Sequence, residues 1–184
     1  MLLLLESSTS HEMPLPELSV DYVRPRGLVV FGGPPLSGRI PRLTVTARDG
    51  YESAAGIPDF MRSVGFCFVS AQLRGLLEST AAEIEYLPID LVYRSIRNAN
   101  DYFLANPLRK VRGVDLNRSN IELDEAGIAI SCRELSLNEP LFEGLPVSVL
   151  HETLHLVVQS HVEAAIRQAG FTGCSFKSPT AVRF

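Results

Sequence analysis

No stretch of about 20 apolar residues occurs in this chain of 184 residues, so no segment reads as a membrane-spanning helix. Met1 to Leu5 holds four leucines and Glu6 follows, without the basic n-region and the longer apolar stretch of a secretory signal. Cytoplasmic residence, with no membrane partner, is the expectation. Cysteine is scarce. Cys67, Cys132 and Cys174 lie far apart, form no C-x-x-C pair and read as buried reduced thiols. A basic excess is also missing: the net charge is −4 and the pI about 5.6, which speaks against a general nucleic-acid binder.

Recognisable chemistry is equally thin. Gly32-Gly33-Pro34-Pro35-Leu36-Ser37-Gly38 is glycine-rich but lacks the G-K-[ST] of a phosphate-binding loop. Pro34 and Pro35 also remove backbone N–H donors that a phosphate would need. No Gly-x-Ser-x-Gly elbow occurs, and Asp21, Asp49, Asp59 and Asp115 show no paired spacing. No nucleophile, base and orienting group can be nominated together. The residues therefore assign no catalytic group, cofactor or metal, and the expectation is a protein that is not an enzyme.

What is present suits one domain. Apolar residues make up 46% of the chain, enough for a sizeable core. Residues 1–26, with Ser7 to Ser10 and Pro14, Pro16 and Pro25, read as a peripheral segment, and 27–184 as a single domain. Leu28 to Phe31 and Leu43 to Ala47 read as strands, the second ending at an Asp49-Gly50 turn. Phe66 to Val69 reads as a buried strand, Ser70 as a helix N-cap, and Leu73, Leu76 and Leu77 as the apolar stripe of the helix. Ile84 to Ile89 returns as strand. A second unit of this design runs from the strand-like Leu154 to Val158 through Ser160, where Glu163 completes an S-x-x-E capping box. Val162, Ala165, Ile166 and Ala169 form its stripe, Gly170 ends it, and Phe171 to Phe176 gives a strand. Asp101 to Leu104 and Gly113 to Leu116 read as short strands. Ile121 to Leu123 and Gly127 to Ile130 read as a hairpin turning through Asp124. The class expected is α+β: several short, mostly antiparallel strands with two or three helices, including two strand–Ser-capped helix–strand units.

One string competes with this reading. His151-Glu152-Thr153-Leu154-His155 spells H-E-x-x-H, and His161 follows. On a helix, two such histidines hold zinc and the glutamate activates water. A zinc-dependent hydrolase using His151, Glu152 and His155 is therefore the alternative. Against it, Val158 stands where the extended motif needs a glycine, and the capping signal at Ser160 places the helix after the string. The segment Val147 to Val158 is also rich in β-branched residues, and all three methionines lie upstream.

Several strings resemble a bacterial family. They are Phe68 to Leu77, Glu85-Tyr86-Leu87-Pro88-Ile89, Asp101 to Val111 leading to Val114 to Ser119, and Ser160 to Gly173 with Phe176. Their order and spacing, over roughly residues 40–176, resemble immunity protein family eleven and its relatives, in bacterial polymorphic toxin systems. The resemblance implies a cytoplasmic antidote that binds a cognate toxin and masks its active site, and it supplies no catalytic or metal residue. Charge adds a candidate surface. Residues 119–143 hold Glu122, Asp124, Glu125, Glu134, Glu139 and Glu143 against Arg133 alone. An acidic face would suit the basic cleft of a nuclease or ADP-ribosyltransferase toxin. Glu122, Asp124 and Glu125, at the predicted turn, are the candidate partner-binding residues, with a merely solvated hairpin as the alternative. The surface around Tyr93 to Asp101 is the next candidate.

Overall fold

The computed structural model describes residues 1–7, 17–20, 31–48, 57–63, 66–93 and 96–184. Four apolar runs explain its centre. Leu2 to Leu5, Phe66 to Val69, Val147 to Leu150 and Leu156 to Val158 are too short for helices and are apolar at nearly every position. Successive strand side chains point to opposite faces, so such runs require strands covered on both sides.

That is what they form. The strands are β1 (Leu2–Ser7), β2 (Glu17–Val20), β3 (Thr44–Arg48), β4 (Phe60–Ser63), β5 (Phe66–Ser70), β6 (Ile84–Tyr93), β7 (Ile96–Pro107), β8 (Lys110–Val111), β9 (Asn120–Leu123), β10 (Ala129–Glu134), β11 (Val147–Leu150), β12 (Leu156–Gln159) and β13 (Cys174–Lys177). The helices are α1 (Ala71–Ser79) and α2 (Ser160–Ala169), with two short 3₁₀ turns at Glu139–Phe142 and Pro179–Ala181. One sheet runs β13-β1-β12-β11-β8, another β2-β3-β6-β7-β5-β4, and β9 with β10 makes a separate hairpin. Pairing is antiparallel except at β3–β6 and β8–β11. The expected α+β class with mostly antiparallel strands describes this single domain, although β structure predominates.

The alternation sorts the core into layers. Leu3, Leu5, Cys67, Val69, Phe103, Val149 and Val158 share the central cluster with Leu73, Leu77, Val162 and Ile166 of the two helices. Phe68, Leu104 and Leu91 face a second cluster with Leu36, Leu43 and Met61. Leu2, Leu4, Leu150 and Val157 face a third, closed by Cys132, Leu135, Leu137, Phe142 and Val182. The hairpin and the first 3₁₀ turn thus roof the outer side of the five-stranded sheet.

Four expectations need correction or placement. Leu2–Ser7, inside the stretch read as peripheral, is an interior strand between β12 and β13. Burial on both faces hides the alternation by which a strand is recognised, and each buried leucine contributes about 2 kcal/mol. Gly113 to Leu116 is not a strand; it makes an isolated bridge, Val114 to Leu137. Ser160 does not cap α2. The cap position is Gln159, without a side-chain cap bond, and its amide donates to the Phe142 carbonyl at 3.0 Å. The Ser160 N–H donates to the Met1 carbonyl at 3.2 Å, and Glu163 pairs with Arg167 at 2.7 Å instead of closing a box. The strand expected at 28–31 and the Asp49-Gly50 turn lie outside the described residues, apart from a buried Phe31 in a bend.

Candidate functional site

Two of the strings that carry the family resemblance meet at Asp59. Its Oδ1 accepts from the Ser70 hydroxyl at 2.7 Å, and its Oδ2 accepts from the Thr172 N–H and hydroxyl, both at 2.9 Å. The backbone joins in: Ser70 N–H donates to the Asp59 carbonyl at 2.8 Å and Phe60 N–H to the Thr172 carbonyl at 3.1 Å. Ser70 Oγ also accepts from the Leu73 N–H at 3.2 Å, capping α1 as expected. Serine, aspartate and threonine together suggest chemistry. Here each polar atom serves a joint between β4, α1 and the start of β13. The Ser70 hydroxyl is buried and divided between Asp59 and the helix, so it is not poised as a nucleophile. Gly173 completes the joint at φ +77°, where an added Cβ would lie 2.2 Å from the Phe60 carbonyl oxygen. Nearby, burial pushes the Cys67 thiol up to about 12, which leaves it protonated and unreactive.

The H-E-x-x-H string is a turn. β11 ends at Leu150 and β12 begins at Leu156, with Leu150 N–H donating to the His155 carbonyl at 2.9 Å across the loop. The helix that would set the two histidines side by side is not formed. His151 Nε2 lies 3.2 Å from the Ala126 carbonyl oxygen, at the hairpin turn. His155 faces the other way: its Nε2 lies 3.3 Å from Glu6, which also binds Lys177, and its Nδ1 lies 2.8 Å from the Thr153 hydroxyl. Burial first, then Arg62, lowers the His155 pKa, while Glu6 opposes them. His161 is exposed on α2. Glu152, the candidate base, is buried and accepts from the Gly113 N–H at 3.3 Å and, more distantly, from Val114 N–H at 3.5 Å. Its carbonyl accepts from Ala129 N–H at 2.7 Å. It therefore ties the loop before β9 to the first residue of β10. Among the described residues, no three His, Cys, Asp or Glu side chains gather as a metal site would require.

The acidic stretch stands in contrast. The hairpin forms where expected, turning through Asp124 to Gly127. Asp124 accepts through Oδ1 from Ala126 N–H at 2.9 Å and Ile128 N–H at 2.8 Å, the side-chain turn that aspartate favours. Gly127 supplies the left-handed residue, φ +79°. Asp124 is therefore partly structural. Glu122 and Glu125 point to solvent, with one long contact, 3.4 Å, from the Ser131 hydroxyl to Glu122. Glu134, Glu139 and Glu143 are exposed as well. Of the second candidate surface, Tyr93 to Asp101, the side chains of residues 94–100 lie outside the described residues.

Below the hairpin lies a feature that the sequence reading missed. Two adjoining cavities, about 420 and 330 Å³, share Met1, Leu2, Glu139 and Pro140 as lining, and the pair is termed the groove. Ser136 and Leu137, just after β10, line the first, and Phe142 lines the second. Among the described residues five large apolar side chains are exposed, and three of them, Met1, Leu116 and Leu141, line the groove or adjoin residues that do. Periodicity could not separate these leucines from those of the core.

In the described residues, the buried carboxyl and hydroxyl groups of Glu152 and Ser70 are taken up by joints, while six exposed carboxylates gather over residues 119–143. Such a distribution belongs to a protein that works through a binding surface. The profile of the immunity protein family, Imm11, matches residues 13–180, and the chain belongs to that family. No curated protein matches it. The chain is thus an immunity protein, and its partner is a cognate toxin protein.

Proposed function

We propose that this immunity protein acts in the cytoplasm and neutralises its toxin by covering the active site, through binding and not through catalysis. The toxin would have a basic substrate cleft, as nucleases and ADP-ribosyltransferases do. The observation that carries this reading is the acidic outer layer. Residues 119–143 hold six carboxylates and one arginine, and all six carboxylates are exposed. Like charges gathered on one layer raise the free energy of the isolated protein slightly and lower that of a complex with a cation-lined cleft. They also steer encounter, which an antidote needs when toxin must be captured at low concentration. Glu122 and Glu125 stand foremost, with Asp124 holding the turn that presents them.

The test uses the toxin domain encoded beside this chain's gene. Co-expression should restore growth, and the purified pair should associate at roughly 10⁷ M⁻¹s⁻¹ or faster at low salt, slowing as salt rises. No complex with that domain would sink the neutralisation reading. A tight complex whose association ignores salt would sink the basic-cleft part alone.

A further inference from the structure

We infer that the toxin's anchor enters the groove between the base of β9–β10 and the 3₁₀ turn Glu139–Phe142, as an apolar side chain flanked by lysine or arginine. This rests on the toxin-binding reading above and gives it a place.

Three observations converge there. The floor is apolar and rigid, since Leu2, Leu135 and Leu137 are 7%, 0% and 9% exposed and belong to the third core cluster. Such a floor offers an incoming side chain fixed partners and asks for no rearrangement. Two exposed leucines adjoin the lining in sequence. Leu116 is 61% and Leu141 49% exposed, beside the lining residues Asp115 and Pro140. Exposed leucines next in sequence to the lining of a cavity with buried leucines in its floor are side chains that a docked anchor can cover. The charges complete the pattern. Glu139 and Glu143 line the groove, and neither carboxylate has a hydrogen-bond or cationic partner among the described residues. The cationic side chain in the lining, Arg118, stands on the loop carrying Asp115, whose carbonyl accepts its N–H at 3.1 Å. An occupant that buries an apolar group over Leu2 and Leu137, beside Leu141, and brings a cation to Glu139 and Glu143 satisfies all three. The hairpin tip, lying on the other side of the base, then guides approach while the groove holds the complex.

The experiment measures binding of the neighbouring toxin domain to the full chain and to three variants of exposed residues. Leu141→Glu and the pair Glu139→Lys with Glu143→Lys should each raise the dissociation rate about tenfold or more, with melting temperatures near wild type. The pair Glu122→Lys with Glu125→Lys should alter association and leave dissociation unchanged. Amide exchange of the wild-type complex should show new protection over residues 136–143. The groove is excluded if L141E dissociates within about twofold of wild type and those amides gain no protection. It is excluded in a different way if sedimentation finds the free wild-type chain dimeric and L141E monomeric, since a second copy then fills the groove. If the wild-type chain does not bind the neighbouring domain, the toxin reading falls and the groove assignment with it, an outcome distinct from intact binding that ignores the variants.

Discussion

The joint at Asp59 and the layer at residues 119–143 use carboxylates in opposite ways. At the joint, one carboxylate receives two hydroxyls and an N–H within 2.9 Å and has no water-facing task. On the layer, Glu122, Glu125, Glu134, Glu139 and Glu143 face solvent. The joint falls on strings by which the family can be recognised, Phe68 to Leu77 and Ala169 to Gly173; the tip of the layer does not. Recognition and the proposed binding surface therefore sit in different places. A scaffold is recognisable because caps and tight turns admit few residues, whereas a surface fitted to one partner has no such constraint. The same contrast disposes of the H-E-x-x-H string, whose Glu152 behaves as a joint.

The largest expected effect tests the joint. Gly173→Ala would force a Cβ to within 2.2 Å of the Phe60 carbonyl and 2.7 Å of Pro58 Cβ, at φ +77°. The backbone cannot relieve this without opening the Asp59 joint, so we expect a loss of about 3 kcal/mol or more in urea unfolding. The folded fraction should still bind toxin normally. A loss under about 1 kcal/mol would mean that the joint yields, and that its polar atoms are less structural than the geometry implies.

A smaller effect separates two serines that read alike. Ser70→Ala removes the cap of α1 and leaves an oxygen of Asp59 without its donor, for about 2 kcal/mol. Ser160→Ala removes no cap bond from α2 and should fall within about 0.5 kcal/mol of wild type. Equal losses in thermal melts would show that Ser160 caps its helix in solution after all.

The two serines also show where sequence reasoning holds. Strand, cap and stripe were legible for β5 and α1 because every signal there is local. The hairpin was legible through Asp124 and Gly127 for the same reason. The capping box failed because the Met1 carbonyl, 159 positions away, takes the Ser160 N–H. β1 was lost because four leucines buried on both faces show no period, and the Ser and Pro residues that follow suggest a tail. The fold class and the acidic stretch could be read in advance. The groove could not, because Leu116 and Leu141 differ from core leucines only in what long-range packing leaves uncovered.

The smallest effect on stability tests the layer, and here the choice of residues matters. Asp124 should be left in place, because its carboxylate accepts two N–H groups of the turn and its loss would cost about 1 kcal/mol for reasons unrelated to binding. Reversing Glu122 and Glu125 to lysine leaves those bonds intact, so unfolding free energy should stay within about 0.5 kcal/mol of wild type. Association with the toxin domain is a different matter. Two reversals change the charge of the hairpin tip by four units, and encounter over distances near the Debye length, about 10 Å at 0.1 M salt, responds to that sum. The association rate should drop about tenfold at low salt and approach wild type as salt screens both. Dissociation should not change, because the groove and not the tip holds the complex. If association matches wild type at every salt concentration, the tip is only a solvated hairpin and steering belongs to Glu134, Glu139 and Glu143. If dissociation accelerates instead, the tip itself is an anchor, and the division between guiding tip and holding groove is wrong.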